Sequence, residues 1–337
     1  MSRSKALQYY IISRLLLAPL MLWTIVTLVF LLLRATPGDP VDAMFSSRVP
    51  DSVKEEFRRS LGLADPLWWQ YFRYMESLLH FDLGSSFTIP GQSVWGEIQL
   101  YFPATLELAA FSMAIALIVG VTFGAISASN PNSFLDVGGR LFGIVTYAIP
   151  LFWFGMILQL IFAVQLRWFP PSGRGPSPEN ITGIYTIDSL LSGDFGQLLT
   201  SLHHLALPCL TLGILISGIF ERIVRVNLQQ TLQADYVEAA RARGIPEKRI
   251  LWSHALKNAL IPVITILGLT FASMLGGAVL TEVTFSWEGL GRRLYLAISE
   301  RDYPTVQGIM VFFGAIVVTA SILIDIINAY IDPRIRY

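Results

Sequence analysis

Six stretches of the chain are apolar over about the 20 residues that a helix needs to cross a bilayer core. They run from Leu15 to Leu33, Pro103 to Ser129, Val137 to Gln165, Leu202 to Val226, Leu260 to Val283 and Pro304 to Ile331. The first lies behind Arg3, Lys5 and Arg14 and lacks the short core and small-residue cleavage site of a secretory signal, so an uncleaved spanning helix is predicted. Pro103 suits the first turn of the second helix, and Asn130-Pro131-Asn132 predicts a tight turn before the third. Gly120 with Gly124, Gly213 with Gly218, and Gly276-Gly277 recur inside the windows, where small residues let helices approach closely in lipid. Few charges enter them. Glu107 sits within about one turn of the outer end of the second helix and Asp325 within about two turns of the inner end of the sixth, where interfacial pairing accounts for both. The predicted fold class is an all-α integral membrane protein with six transmembrane helices.

Basic residues orient the bundle when they are counted over short loops only. With the N-terminus inside, inner segments hold Arg3, Lys5, Arg14, Arg140, Arg222, Arg225, Arg241, Arg243, Lys248, Arg249, Lys257, Arg334 and Arg336, against Arg167, Arg174, Arg292, Arg293 and Arg301 outside. Both termini are therefore expected on the cytoplasmic side. Ala35 to Tyr101 becomes an outer segment with helical patterning in Asp51 to Leu61 and Leu67 to Leu79, which predicts a small folded cap. Trp168 to Ser201, rich in Pro and Gly, becomes an ordered outer loop.

Composition agrees with the membrane reading: 53% of residues are hydrophobic and 14% charged, with a mean hydropathy of +0.57, where soluble domains carry about 25% charged residues. Net charge is zero and no dense basic block exists, so nucleic acid is not expected as a partner. The single cysteine, Cys209, excludes an intrachain disulfide and a thiolate cluster, and the adjacent His203 and His204 cannot present a helical i, i+4 metal pair.

The most informative stretch is the inner loop 229–258, in QQTLQADYVEAARARGIPEKRILWSHALKNALIP. Asp235 can cap a helix, with Glu238 at the capping-box position. Gly244 suits the left-handed position that ends it, and Pro246 the first turn of a second helix. Tyr236, Ala239, Ala240 and Arg243 share a face by helical spacing. This small-residue face fits either a groove on another protein or a solvated surface.

Glu238-Ala239-Ala240 followed by Gly244, and then by Ile261-Pro262 after a basic stretch, resembles the EAA loop of ATP-binding-cassette import permeases. Other stretches resemble the dipeptide, oligopeptide and nickel branch of that family: Ala35-Thr36-Pro37-Gly38-Asp39-Pro40, Leu61-Gly62-Leu63 with Asp65-Pro66-Leu67, and Asp82-Leu83-Gly84-Ser85-Ser86. Trp168-Phe169-Pro170-Pro171-Ser172-Gly173, Asp302-Tyr303-Pro304 and Asp332-Pro333-Arg334 extend the likeness to the C-terminal end. One departure is Glu288, in Phe285-Ser286-Trp287-Glu288-Gly289-Leu290-Gly291, where the family more often has proline; it puts the shape of that outer turn in question.

The resemblance implies a type-1 importer core at 99–331, preceded at 1–98 by an extra helix and an outer cap. It also implies residence in a bacterial or archaeal inner membrane. Implied partners are a second, similar permease, two ATP-binding subunits and an extracytoplasmic binding protein, besides membrane lipid. The inner loop would dock the ATPase through Asp235, Tyr236, Glu238, Ala239, Ala240, Arg241, Arg243 and Gly244, with Arg241 and Arg243 placed for salt bridges. No cofactor is expected in this chain: no G-x-x-x-x-G-K-[ST] loop is present, so ATP and Mg belong to the partner subunits. Peptides are the expected cargo, with nickel or another small solute as the alternative within the branch.

Two other function classes fit the sequence less well. An ion-coupled secondary transporter places carboxylates or histidines at mid-membrane depth, and the windows offer almost none. A membrane-embedded enzyme needs a paired acid and base or a metal constellation, and neither can be assembled. Gln159, Asn258 and Thr265 are polar residues that could line a path, with nothing to single them out.

Overall fold

The computed structural model describes residues 3–45 and 49–331. Helices occur in the order α1 (Arg3–Ala35), α2 (Pro40–Met44), α3 (Asp51–Ser60), α4 (Leu67–Leu79), α5 (Val94–Ser129), α6 (Phe134–Ala148) and α7 (Leu151–Leu158), which runs on into a π-helical turn, Gln159–Gln165. There follow α8 (Tyr185–Leu191), α9 (Phe195–Thr231), α10 (Asp235–Ala242) and α11 (Glu247–Arg249). A second π-helical turn, Ile250–Ala255, leads to α12 (Leu256–Ala259), α13 (Ile261–Gly277), α14 (Val279–Thr284), α15 (Leu290–Ser299) and α16 (Tyr303–Ile331). The Asp332-Pro333-Arg334 motif and Arg336 lie outside the described residues.

Four of these helices, α1, α5, α9 and α16, are each long and apolar enough to span a membrane. Two bent pairs complete the six spans: α6 with α7 and its π turn, bent by 102°, and Glu247–Ala259 with α13, bent by 54°. The third window is therefore not one continuous helix. Ile149 precedes Pro150 and takes the extended conformation (φ −76°, ψ 126°) that a following proline enforces. The second span also begins earlier than expected. Ser93 caps it by accepting from the Gly96 N–H, so Pro103 lies inside the helix rather than in its first turn. Pro103 lacks the N–H that would bond the Gln99 carbonyl, but Gln99 is exposed, and Ile98, Ala104 and Thr105 pack the helix on either side.

At the centre, α5 and α9 run in the same direction in close contact. A Cβ on Gly120 would stand 2.6 Å from the Ser217 carbonyl, one on Gly124 2.7 Å from that of Glu221, and one on Gly213 2.8 Å from that of Ser112. Hydrogen in place of a side chain is what allows the backbones to approach, as the sequence spacing suggested. Leu108, Ala116, Leu212, Phe220, Val224, Met274 and Trp287 belong to the core around this crossing. On the flank α1 packs against α16, with Gly314 facing Ile25, while Leu16, Leu20, Leu28 and Leu32 of α1 stay exposed as an apolar, lipid-facing stripe. Asp325 pairs with Arg14 at 3.1 Å, the interfacial role expected of it.

Helices α2–α4 form the cap. Arg58 bonds Asp39 at 2.7 Å and Lys54 bonds Asp42 at 3.0 Å, while Thr27 and Tyr71 share a 2.7 Å hydroxyl contact that ties α4 to α1.

Candidate functional site

The inner elbow is built by α9, α10 and the chain that follows. Helix α10 starts at Asp235 itself: Ala234 occupies the cap position with extended backbone and no side-chain cap bond forms. Asp235 and Glu238 therefore stand in the first turn, where their charges favour the positive helix end, rather than closing a capping box. Gly244 ends the helix at φ +74°. Its N–H donates to the Arg241 carbonyl at 2.9 Å and the Ile245 N–H to that of Ala240 at 3.2 Å, the bond pair of a Schellman motif. Pro246 caps α11 from outside instead of occupying its first turn.

Beneath α10, Val237, Ala240 and Ile250 are buried together, with Leu232 and Ile245 against them. Ala240 is 6% exposed and faces its own chain. Helical spacing could not reveal this, because Ala239 and Ala240 are chemically alike and the face chosen depends on where Ile250 returns. The outward face consists of Asp235, Tyr236, Glu238, Ala239, Ala242 and Arg243. Arg241 is held within the chain, at 2.7 Å from Glu247, so of the two arginines Arg243 is the one left facing outward without an ion pair among the described residues. The Tyr236 hydroxyl accepts from Asn258 at 2.8 Å, which ties α12 to α10.

A second polar cluster ties this inner end together. Asp136 accepts from the Asn132 N–H and pairs with Arg140 at 3.0 Å, while Arg225 reaches Glu221 at 3.2 Å and Asp136 at 3.8 Å. Glu221 is fully buried between α9 and glycines of α6: a Cβ on Gly139 would lie 2.9 Å from its Oε1 and one on Gly143 3.1 Å from its Oε2. The view that the windows contain almost no interior carboxylate is thus corrected by Glu221 and Glu282. The i, i+4 spacing of Glu221 and Arg225 was the available signal.

Glu282 shows what such a residue does. Buried in the first turn of α14, it accepts from Thr105 Oγ1 at 2.6 Å and from the Arg292 N–H at 2.7 Å, so its carboxylate closes the N-terminus of α15 from a distance. Gly289 and Gly291 leave the space it fills. Trp287 Nε1 donates to the Ala104 carbonyl at 2.9 Å. Glu288 points to solvent, so the departure from proline leaves the turn's packing intact.

The outer loop is anchored by Glu107, which accepts from Arg174 at 2.6 Å and from both the N–H and the hydroxyl of Thr186 at 2.8 Å. His203 and His204 bond the Trp168 and Gly173 carbonyls, and Gln159 donates to those of Pro171 and Thr284, so all three serve the same loop. Cys209 is buried, and among the described residues no group of three metal-ligating side chains converges. Asp302 straps 82–93 to the bundle, accepting from Ser86 at 2.5 Å, the Phe87 N–H at 3.0 Å and Thr88 at 2.9 Å. Burial alone would push its carboxyl up, but the bonds from Ser86, Phe87, Thr88 and Thr305 prevail and hold it below the usual carboxylate range.

The signature of the binding-protein-dependent transport system inner membrane component covers residues 120–337, and that of the corresponding N-terminal component covers residues 7–109. The chain belongs to this permease family. Similar relatives include the dipeptide transport system permease protein DppB of Alkalihalophilus pseudofirmus, 38% identical over 98% of this chain and 100% of that one. The di/tripeptide permease DppB of Pseudomonas aeruginosa is 41% identical over 92% and 93%. The oligopeptide permease AppB of Bacillus subtilis is 36% identical over 97% and 99%. The protein is accordingly a multi-pass transport subunit of an ATP-binding-cassette importer rather than an enzyme, and the importer class implies ATP-binding and substrate-binding partners.

Proposed function

We propose that this permease forms one half of a translocation path for di- or oligopeptides. Its partners are a second, similar permease, two ATPases that hold ATP and Mg, and an extracytoplasmic binding protein that delivers the cargo. The observation that carries the cargo assignment is the likeness to peptide permeases over nearly the full length of both chains. Residues 1–98 supply the flanking helix and cap and 99–331 the permease core, although α5 runs unbroken across that boundary. The outward face of α10 docks the ATPase, a reading supported by its exposure on a rigid, glycine-terminated elbow. Ala240 and Arg241 shape that elbow from within, while Asp235, Tyr236, Glu238, Ala239 and Arg243 meet the partner.

In proteoliposomes, ATP-dependent uptake of a labelled dipeptide is expected when the chain is present with the second permease, both ATPases and the binding protein, and no ATP hydrolysis is expected from the chain alone. Uptake by vesicles holding this chain as the sole protein would overturn the proposal. The orientation, with both termini in the cytoplasm, follows the basic-residue asymmetry. A cysteine at Ser172, in a background lacking Cys209, should react with an impermeant thiol reagent added from outside, and one at Lys248 should not; both sites are exposed on the chain. The reverse labelling would overturn the orientation and move the elbow to the wrong face for an ATPase.

A further inference from the structure

Between the cap and the outer ends of α1 and α16 lies a cleft of about 600 Å³. Three polar groups on its lining have a buried nitrogen or oxygen without a hydrogen-bond partner: Arg34 Nη1, the Tyr74 hydroxyl and Gln307 Nε2. Gln307 is 5% exposed. Arg34 uses Nε to donate to Gln70 Oε1 at 3.2 Å, and its guanidinium lies 3.7 Å from the centre of the Phe30 ring, but it forms no ion pair among the described residues. The other arginine on the lining, Arg73, is already matched by Asp65 at 3.0 Å, and the one carboxylate on the lining, Asp82, is exposed, accepts from the Gly84 N–H and forms no ion pair with Arg34. Burial pushes the Tyr74 phenol up against the opposing pull of Arg34, so its hydroxyl keeps its proton and can donate.

A permanent cation and two neutral donors left open in one cleft call for an oxyanion. Water would satisfy the donors yet leave the charge of Arg34 without a counter-ion, which is costly in a partly desolvated place. Inorganic phosphate would fill little of the volume. The walls add Phe57, Leu61 and Leu63, and the neighbouring turns of α1 leave Leu28, Leu31 and Leu32 exposed by 54, 55 and 65%, an apolar track leading away from Arg34 along the spanning helix. A charged head with long apolar tails matches both parts.

We infer that this cleft binds the anionic phosphodiester headgroup of a phospholipid, with Arg34 as counter-ion, Tyr74 and Gln307 as further donors, and the acyl chains along α1. The site rests on the proposed orientation only for which leaflet supplies the lipid; the chemistry is the same on either side. A bound lipid would bridge the cap to α1 and α16.

The test is native mass spectrometry of the full chain, delipidated in detergent and titrated with phosphatidylglycerol or phosphatidylcholine. One phosphatidylglycerol is expected to stay bound at collision energies that strip phosphatidylcholine. Arg34→Gln should weaken phosphatidylglycerol binding at least tenfold, Arg34→Lys should recover part of it, and Gln307→Leu, which removes a donor without touching charge, should weaken it about threefold. The last variant keeps the test decisive if Arg34→Gln folds poorly. Equal retention by wild type and Gln307→Leu together with Arg34→Gln or Arg34→Lys would overturn the site. Full displacement of the lipid by millimolar inorganic phosphate, or by a dipeptide carboxylate, would overturn the lipid assignment.

Discussion

Glu107→Ala is expected to cost about 3–5 kcal/mol of stability, as breaking one side of a buried ion pair does. Glu107 and Arg174 have side chains 1% and 5% exposed, and the carboxylate also takes both donors of Thr186. Without it the guanidinium would be left over the Tyr185 ring, 3.6 Å from its centre, with the Gly183 carbonyl as its remaining acceptor and Nε already unpartnered. Glu107→Gln keeps an acceptor and should cost less. Arg174→Met removes the other charge and should cost as much as Glu107→Ala, because the carboxylate keeps its Thr186 bonds but loses its counter-ion. The double variant Glu107→Leu with Arg174→Met should be markedly more stable than the sum of the two single losses, since no uncompensated charge remains buried. Heating in detergent followed by size-exclusion chromatography measures the folded fraction. Strict additivity of the singles in the double would show that the pair does not hold the outer loop.

What the sequence made legible here is governed by period and length. Long apolar windows located all six spans, because bilayer thickness leaves few alternatives, and Gly244 announced the elbow because left-handed backbone strongly favours glycine. Breaks were harder to see. The bend at Ile149-Pro150 lies in a window whose hydropathy is uninterrupted, and hydropathy carries no information on direction. Pro103 was misplaced for the opposite reason: a local preference for first turns yielded to packing that holds the helix on both sides of it. Glu221 and Glu282 were the deepest omission, whereas Glu107 was expected to be paired but its partner was not named. Glu107 meets Arg174, and Glu282 meets Thr105 and the Arg292 amide, on other segments, while Glu221 pairs with Arg225 of its own helix beneath the α6 glycines, so their burial depends on contacts spanning up to 177 residues of chain.

Ala239→Asp and Ala240→Asp, adjacent and chemically identical changes, should fail in different ways. Ala240 packs on Val237 and Ile250, so an aspartate there buries an unpaired carboxylate, at a cost of several kcal/mol in the elbow itself. Ala239 is exposed, and the same aspartate should leave α10 folded while placing a charge where the partner must pack closely. Gly244→Val should resemble Ala240→Asp, because a β-branched residue strongly resists a φ of +74° and the Schellman bonds at Ala240 and Arg241 would open. None of the three changes lies in a continuous spanning helix, so all should reach the membrane at normal levels. Limited proteolysis then separates them: new cleavage within 235–250 for Ala240→Asp and Gly244→Val, and the wild-type pattern for Ala239→Asp. Pull-down of the ATPase should fall at least tenfold for all three, about 1.4 kcal/mol or more of lost association. Undiminished recovery with Ala239→Asp would mean that the outward face of α10 is a solvated surface and that the ATPase docks elsewhere.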